Sequence, residues 1–187
     1  ARLGHRRIAI INGREGWHSA ERRYEGYQAE LAAQGIAFDP ALVQRGDWEY
    51  EGGYDAARRL LAQKPAPTAI FAANDLMALG AIGAIQDAGL SVPGDVAVVG
   101  YDNREFSRVV RPRITTVSMP VYEMGRTAAE LLLRQITEGH APLDEIKLKG
   151  QLFVRETCGA DVAQRTPEEP DIATTSRRVL LHKDPDS

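Results

Sequence analysis

Four short apolar runs punctuate this chain: Ile8 to Ile11, Leu42 to Gln44, Ala69 to Ala73, and Val96 to Val99. Each is followed within a few residues by Asn or Asp, and segments of helical spacing lie between them. Runs this short and this apolar read as strands buried on both faces, and an intervening helix is what returns the chain to start a parallel neighbour. The pattern predicts an α/β chain built on a doubly wound parallel sheet.

The intervening segments fit. Ser19 is placed as an N-cap, and Ala20, Tyr24, Tyr27 and Leu31 then recur at helical spacing up to Gly35. A second helix carries Tyr54, Ala57 and Leu61 and is stopped by Pro65 and Pro67. The third, Leu76 to Ala88, is apolar nearly all round and so needs cover on two faces, with Gly80 and Gly83 suited to close helix packing. Downstream come a further apolar run, Ile114 to Val117, and an amphipathic helix from Val121 to Glu138 that Gly139 ends. The stripe of that helix is Val121, Met124, Ala128, Leu131 and Leu132. Ile146 to Leu148 and Leu152 to Val154 read as a closing pair of short strands. From residue 160 to 187 the pattern dissolves into Pro167, Pro170, Pro185 and charged side chains, and disorder is expected there.

Composition removes several function classes. The net charge of −3 supplies no global basic field to hold the chain on nucleic acid or an anionic membrane. Ala69 to Ile85 is broken by Asn74 and Asp75 and falls short of the roughly 18 continuous apolar residues of a membrane span. A single cysteine, Cys158, and no apolar signal region in the first residues together suggest a reducing cytoplasm. There is no Gly-x-x-x-x-Gly-Lys-Ser/Thr loop, no Gly-x-Gly-x-x-Gly after the first run, and no Gly-x-Ser-x-Gly elbow. His5, His18, His140 and His182 are dispersed, so neither a metal nor a cofactor is expected. Cys158 has no nearby histidine and reads as a packed thiol. Arg104, Arg108, Arg111 and Arg113 form the one basic cluster; lacking interleaved aromatics, it reads as a solvated loop or a subunit contact.

In an open parallel sheet, ligands bind beyond the carboxyl ends of the strands. Those ends carry Asn12 with Arg14, Asp47 with Trp48, Asn74 with Asp75, and Asp102 with Asn103. Any one such Asn or Asp is more often a turn former. All four together offer flat donors and acceptors around an indole plane, which suits a neutral polyhydroxylated ligand such as a sugar.

Six motifs in order resemble the effector-binding core of the lac repressor/galactose repressor (LacI/GalR) family. They are Gly4-His5-Arg6-Arg7-Ile8-Ala9, Arg23-Tyr24-Glu25-Gly26-Tyr27, Gly46-Asp47-Trp48, Thr68 to Gly80 with Ala73-Asn74-Asp75, Val92 to Asn103, and Pro112 to Val117. The resemblance covers Leu3 to Cys158. It implies a periplasmic-binding-protein-like fold of two hinged α/β subdomains, with residues 1–120 and 140–159 in the C-terminal one. The helix 121–139 would cross to an N-terminal subdomain absent from the sequence. It also implies a non-enzymatic regulator in which a small effector controls operator binding by an upstream helix-turn-helix. Position by position, Arg23 resembles the ligand-clamping arginine, Asn74 and Asp102 the hydrogen-bonding pair, and Trp48 the aromatic wall; the strand-end chemistry adds Asn12 and Arg14 as ligand-binding candidates. Homodimer contacts are expected at Leu76, Leu79, Gly80 and Gly83 and at Arg108 in the Glu105 to Arg111 loop. An extracytoplasmic sugar-binding protein of a transporter shares this architecture and is the alternative.

Overall fold

The computed structural model describes residues 1–138, 146–161 and 166. Its sheet runs in the order β2-β1-β3-β4-β5-β6, with β1 at Ile8–Asn12, β2 at Val43–Arg45, β3 at Ala69–Ala72, β4 at Ala97–Asp102, β5 at Thr115–Ser118 and β6 at Leu152–Phe153. The first five are parallel, with Ile10 opposite both Val43 and Phe71; β6 alone is antiparallel, Phe153 facing Thr116. The helices are α1 (His18–Ala33), α2 (Tyr50–Leu61), α3 (Asp75–Asp87), the single turn α4 (Phe106–Val109) and α5 (Val121–Glu138). The strand-helix alternation read from the sequence is therefore the observed one, and all four strand ends point the same way.

One face of the sheet is closed by α2 and α3 over Ala9, Ile11, Ile70, Ala72, Val98 and Ile114. The third helix is apolar all round because α2 covers the side the sheet does not. On the other face α1 sets Tyr27 and Leu31 against Ile10, and the Tyr27 hydroxyl donates to the Ile8 carbonyl at 2.8 Å. Beside α1 a cavity of about 1170 Å³ remains open, lined in part by Phe71, Val99, Tyr101, Met119 and Leu152.

Two expectations are corrected, and the close packing read from Gly80 and Gly83 is observed. Helix α1 begins at His18 with Trp17, not Ser19, at its N-cap, and no side chain caps it. Residues 146–150 form no strand; they are exposed, and only Leu152 and Phe153 pair with β5. Gly80 is buried within the chain, where a Cβ would strike the Tyr50 carbonyl and the Tyr54 backbone nitrogen of α2, and a Cβ at Gly83 would meet the Tyr50 hydroxyl. These two glycines let α2 approach α3, as the close helix packing read from them implies.

Within the segment expected to be disordered, Ala160 is buried. The Thr166 N–H donates to the Val154 carbonyl, and its Oγ1 accepts from the Val154 N–H, both at 2.8 Å. Residues 162–165 and 167–187 lie outside the described residues. Helix α5 occupies the span expected of it, and Val121, Tyr122, Leu132, Leu133 and Ile136 are all exposed on it.

Candidate functional site

The carboxyl edge of the sheet gathers its polar side chains in one place because parallel strands end together. Strand β1 ends on Asn12, 4% exposed, and the loop after it begins with Gly13, where any Cβ would collide with the Trp48 indole. A side chain at 13 would lift that ring off the edge. Trp48 itself sits at φ +80°, a left-handed backbone that costs a non-glycine residue on the order of 1–3 kcal/mol. Its ring meets Trp17 at 6.0 Å between centroids.

Asn74 explains how Trp48 is held. Its Oδ1 accepts the Met77 N–H at 2.8 Å, capping α3, and its Nδ2 donates to the Trp48 carbonyl at 2.8 Å. The amide expected to meet a ligand is thus engaged at both ends, one capping α3 and the other fixing the aromatic plate. Asp47 likewise accepts the Glu49 N–H at 3.0 Å ahead of α2.

Arg23 comes in from α1, a turn and a half after its start. Its Nη1 donates to the Ser19 carbonyl at 3.2 Å, its Nη2 lies 3.5 Å from Asp102 Oδ1, and its guanidinium carbon is 4.1 Å from the Tyr101 ring centre and 5.5 Å from that of Trp48. Tyr101 was not singled out in the sequence; its place under the arginine depends on a helix 78 positions away, and no local pattern signals it. Burial pushes the Asp102 carboxyl above its ordinary range, against the pull of Arg23 and Arg104.

Asp75, fully buried at the head of α3, accepts the Arg104 N–H at 2.8 Å. Burial raises its carboxyl to about 6, opposed by hydrogen bonding to Thr116 and to the Arg104 N–H; the Asp102 charge adds to the rise and Arg155 detracts from it. The carboxylate stands over Gly100, where a Cβ would overlap Oδ1. Asp102 and Asn103 follow at φ +107° and +54°. Arg14 is exposed on the loop ahead of α1.

Among the described residues, the buried side-chain polar atoms without a hydrogen-bond partner are Asn12 Oδ1, Arg23 Nε, Trp48 Nε1 and Asp75 Oδ1. All four belong to this edge. Two are donors and two are acceptors, in a region where buried polar groups ordinarily pair. Among the described residues no group of three or more His, Cys, Asp or Glu could hold a metal ion, and no helix is long and apolar enough to cross a membrane.

Leu76 and Leu79 on α3 and Arg108 on α4 are partly exposed and remain available to a neighbouring subunit.

The family described as a periplasmic binding protein-like domain matches residues 1–158. The HTH-type transcriptional repressor PurR of Haemophilus influenzae is 38% identical over 157 residues, covering 82% of this chain and 47% of that protein. The structure of the transcriptional regulator CelR in complex with cellobiose superposes with a TM-score of 0.80 at 40% identity, covering 83% of this chain and 48% of that one. The lac repressor dimer bound to operator and the anti-inducer ONPF gives 0.79 at 36% identity, covering 85% and 55%. These relatives uphold the resemblance drawn from the six motifs. The chain spans about half the length of the curated relatives it matches.

Proposed function

We propose, from the premise that the chain belongs to the periplasmic binding protein-like domain family, that it is the effector-sensing part of a LacI/GalR-type transcriptional regulator and binds a small neutral ligand, a sugar, at the carboxyl edge of its sheet. The observation that carries this reading is the set of unpartnered buried atoms there, Asn12 Oδ1, Arg23 Nε, Trp48 Nε1 and Asp75 Oδ1. A hydroxyl group both donates and accepts, so adjacent hydroxyls match such a mixed set, and the apolar face of a sugar ring fits the Trp48 plane. The cellobiose complex of CelR supports the same ligand chemistry. That the named relatives are repressors favours regulation over transport.

The regulator acts by binding, in the cytoplasm, and the contact with operator DNA belongs to a domain outside this chain, whose own net charge is −3. Effector binding shifts the relative orientation of two lobes and, through a homodimer in contact at Leu76, Leu79 and Arg108, the spacing of two DNA-reading heads. Couplings of this kind are typically about 1–3 kcal/mol.

The test is a thermal-shift and calorimetric screen of the complete regulator against pentoses, hexoses, disaccharides and purine bases. A neutral saccharide that raises the melting temperature and changes operator affinity is the expected result. A purine that does both, with every saccharide inert, would overturn the ligand class.

A further inference from the structure

Asp102 and Asn103 lie in succession at φ +107° and +54°, and three side chains from distant parts of the chain keep the turn in that shape. The Asn103 N–H donates to Thr116 Oγ1 of β5 at 3.2 Å, the Arg104 N–H donates to Asp75 Oδ2 at 2.8 Å, and Asn103 Oδ1 accepts from Arg155 Nη2 at 2.7 Å. Arg155 is 8% exposed. Its Nη1 donates to the Ile114 carbonyl at 2.8 Å and to Ser107 Oγ of α4 at 3.1 Å, its backbone N–H donates to Thr115 Oγ1 at 2.8 Å, and its guanidinium carbon lies 5.4 Å from the Phe153 ring centre.

One buried guanidinium therefore joins the turn after β4, the helical turn α4 and the segment leaving β6. We infer that Arg155 is a positioning residue: it locks the Asp102–Asn103 turn in the shape that brings Asp102 to Arg23, and ties that turn to β6, the strand reached on the way back from α5. Its functional meaning rests on the reading of Asp102 as an effector ligand, but its placement can be tested without any effector. Lysine cannot replace it, because an ammonium is a single point donor whereas the planar fork serves diverging acceptors at once.

The experiment is native-state amide hydrogen exchange, with carbon NMR of the aspartate carboxyls, on this chain carrying Arg155→Lys and no ligand. The amides of Asn103 and Arg104 are expected to exchange about tenfold faster while those of Ile10 and Val98 keep wild-type protection. The Asp102 carboxyl signal shifts as its contact with Arg23 loosens. Equal loss of protection at Val98 and Asn103 would mean a general structural role and overturn the inference, and so would unchanged amides at 103 and 104. Should Arg155→Lys fail to fold, Asn103→Ala deletes the acceptor at the turn and leaves Arg155 its bonds to Ile114 and Ser107. Unaltered protection at Arg104 in that variant overturns the inference, and a local loss sustains it. Failure of Asp102→Ala to weaken effector binding would instead count against the proposed site and leave this result standing.

Discussion

Arg23 Nη2 lies 3.5 Å from Asp102 Oδ1 while the same guanidinium is stacked 4.1 Å from the Tyr101 ring centre. The pair joins the second turn of α1 to the end of β4, and with side-chain exposures of 14% and 27% it is largely withdrawn from water. A cation held by both a carboxylate and a π-face has little freedom to reorient, so its remaining N–H groups keep a fixed direction.

In the complete regulator, Asp102→Ala and Arg23→Ala should each weaken effector binding by about 1.5–3 kcal/mol, the range for hydrogen bonds to charged groups. Operator binding without effector should stay near wild type. Calorimetry and fluorescence anisotropy read the two quantities, and wild-type effector response in both variants would place the effector elsewhere.

Gly80→Ala sets two effects against each other. Alanine gains up to about 1 kcal/mol in helix propensity, but its Cβ would strike the Tyr50 carbonyl, which is backbone and cannot swing away. Overpacking of this kind costs about 1–3 kcal/mol, so urea unfolding should show a net loss. Unchanged or increased stability would mean that α2 and α3 are less closely packed than described.

Asp75→Asn should reveal a pH-dependent penalty. The folded Asp75 carboxyl keeps its proton up to about 6, against a reference of 3.8 for the unfolded chain, so its stability contribution is complete below the lower value and is lost as pH rises through the upper one. The variant's advantage over wild type should grow between those limits and level off above them, at on the order of 3 kcal/mol. A stability difference that stays flat from pH 4 to 7 would contradict the buried, raised carboxyl.

Helix α5 exposes 62% of Leu132 and 70% of Ile136. The isolated chain should therefore bind the dye ANS, and Leu132→Glu with Ile136→Glu should abolish most of the fluorescence with little change in unfolding free energy. Fluorescence that survives the double variant would put the dye in the cavity beside α1 instead.

Leu79→Asp should dissociate the homodimer proposed for the complete regulator, since a partly exposed leucine on α3 would become an unpaired charge in the proposed contact. An unchanged sedimentation coefficient removes Leu79 from the interface.

The alternation of strands with helices was legible because it rests on local periodicity, and α5 was read from Val121 to Glu138 as it stands. The start of α1 was misplaced because Ser19 is the better capping residue by chemistry, whereas the last extended residue before the helix is Trp17, whose side chain makes no cap hydrogen bond. Ile146 to Leu148 alternates like a strand, but a short strand forms only where a neighbour pairs with it. Strand-end chemistry pointed to Asn12, Trp48, Asp75 and Asp102. Arg23 came only from the family resemblance, since on its helix it looks like any surface arginine. Arg155 was invisible for a stronger reason: its partner Asn103 is 52 positions away, and the relation exists only after β5 and β6 have paired.

Trp48, Asp102 and Asn103 all occupy backbone conformations in which glycine would be at ease. Selection for stability alone would drift each of them toward glycine, and every such step would strip the edge of an aromatic plate, a carboxylate or an amide. Stability and recognition pull in opposite directions at these three positions, so a variant library of this chain sorted only for solubility or heat resistance should lose its ligand first and its fold last.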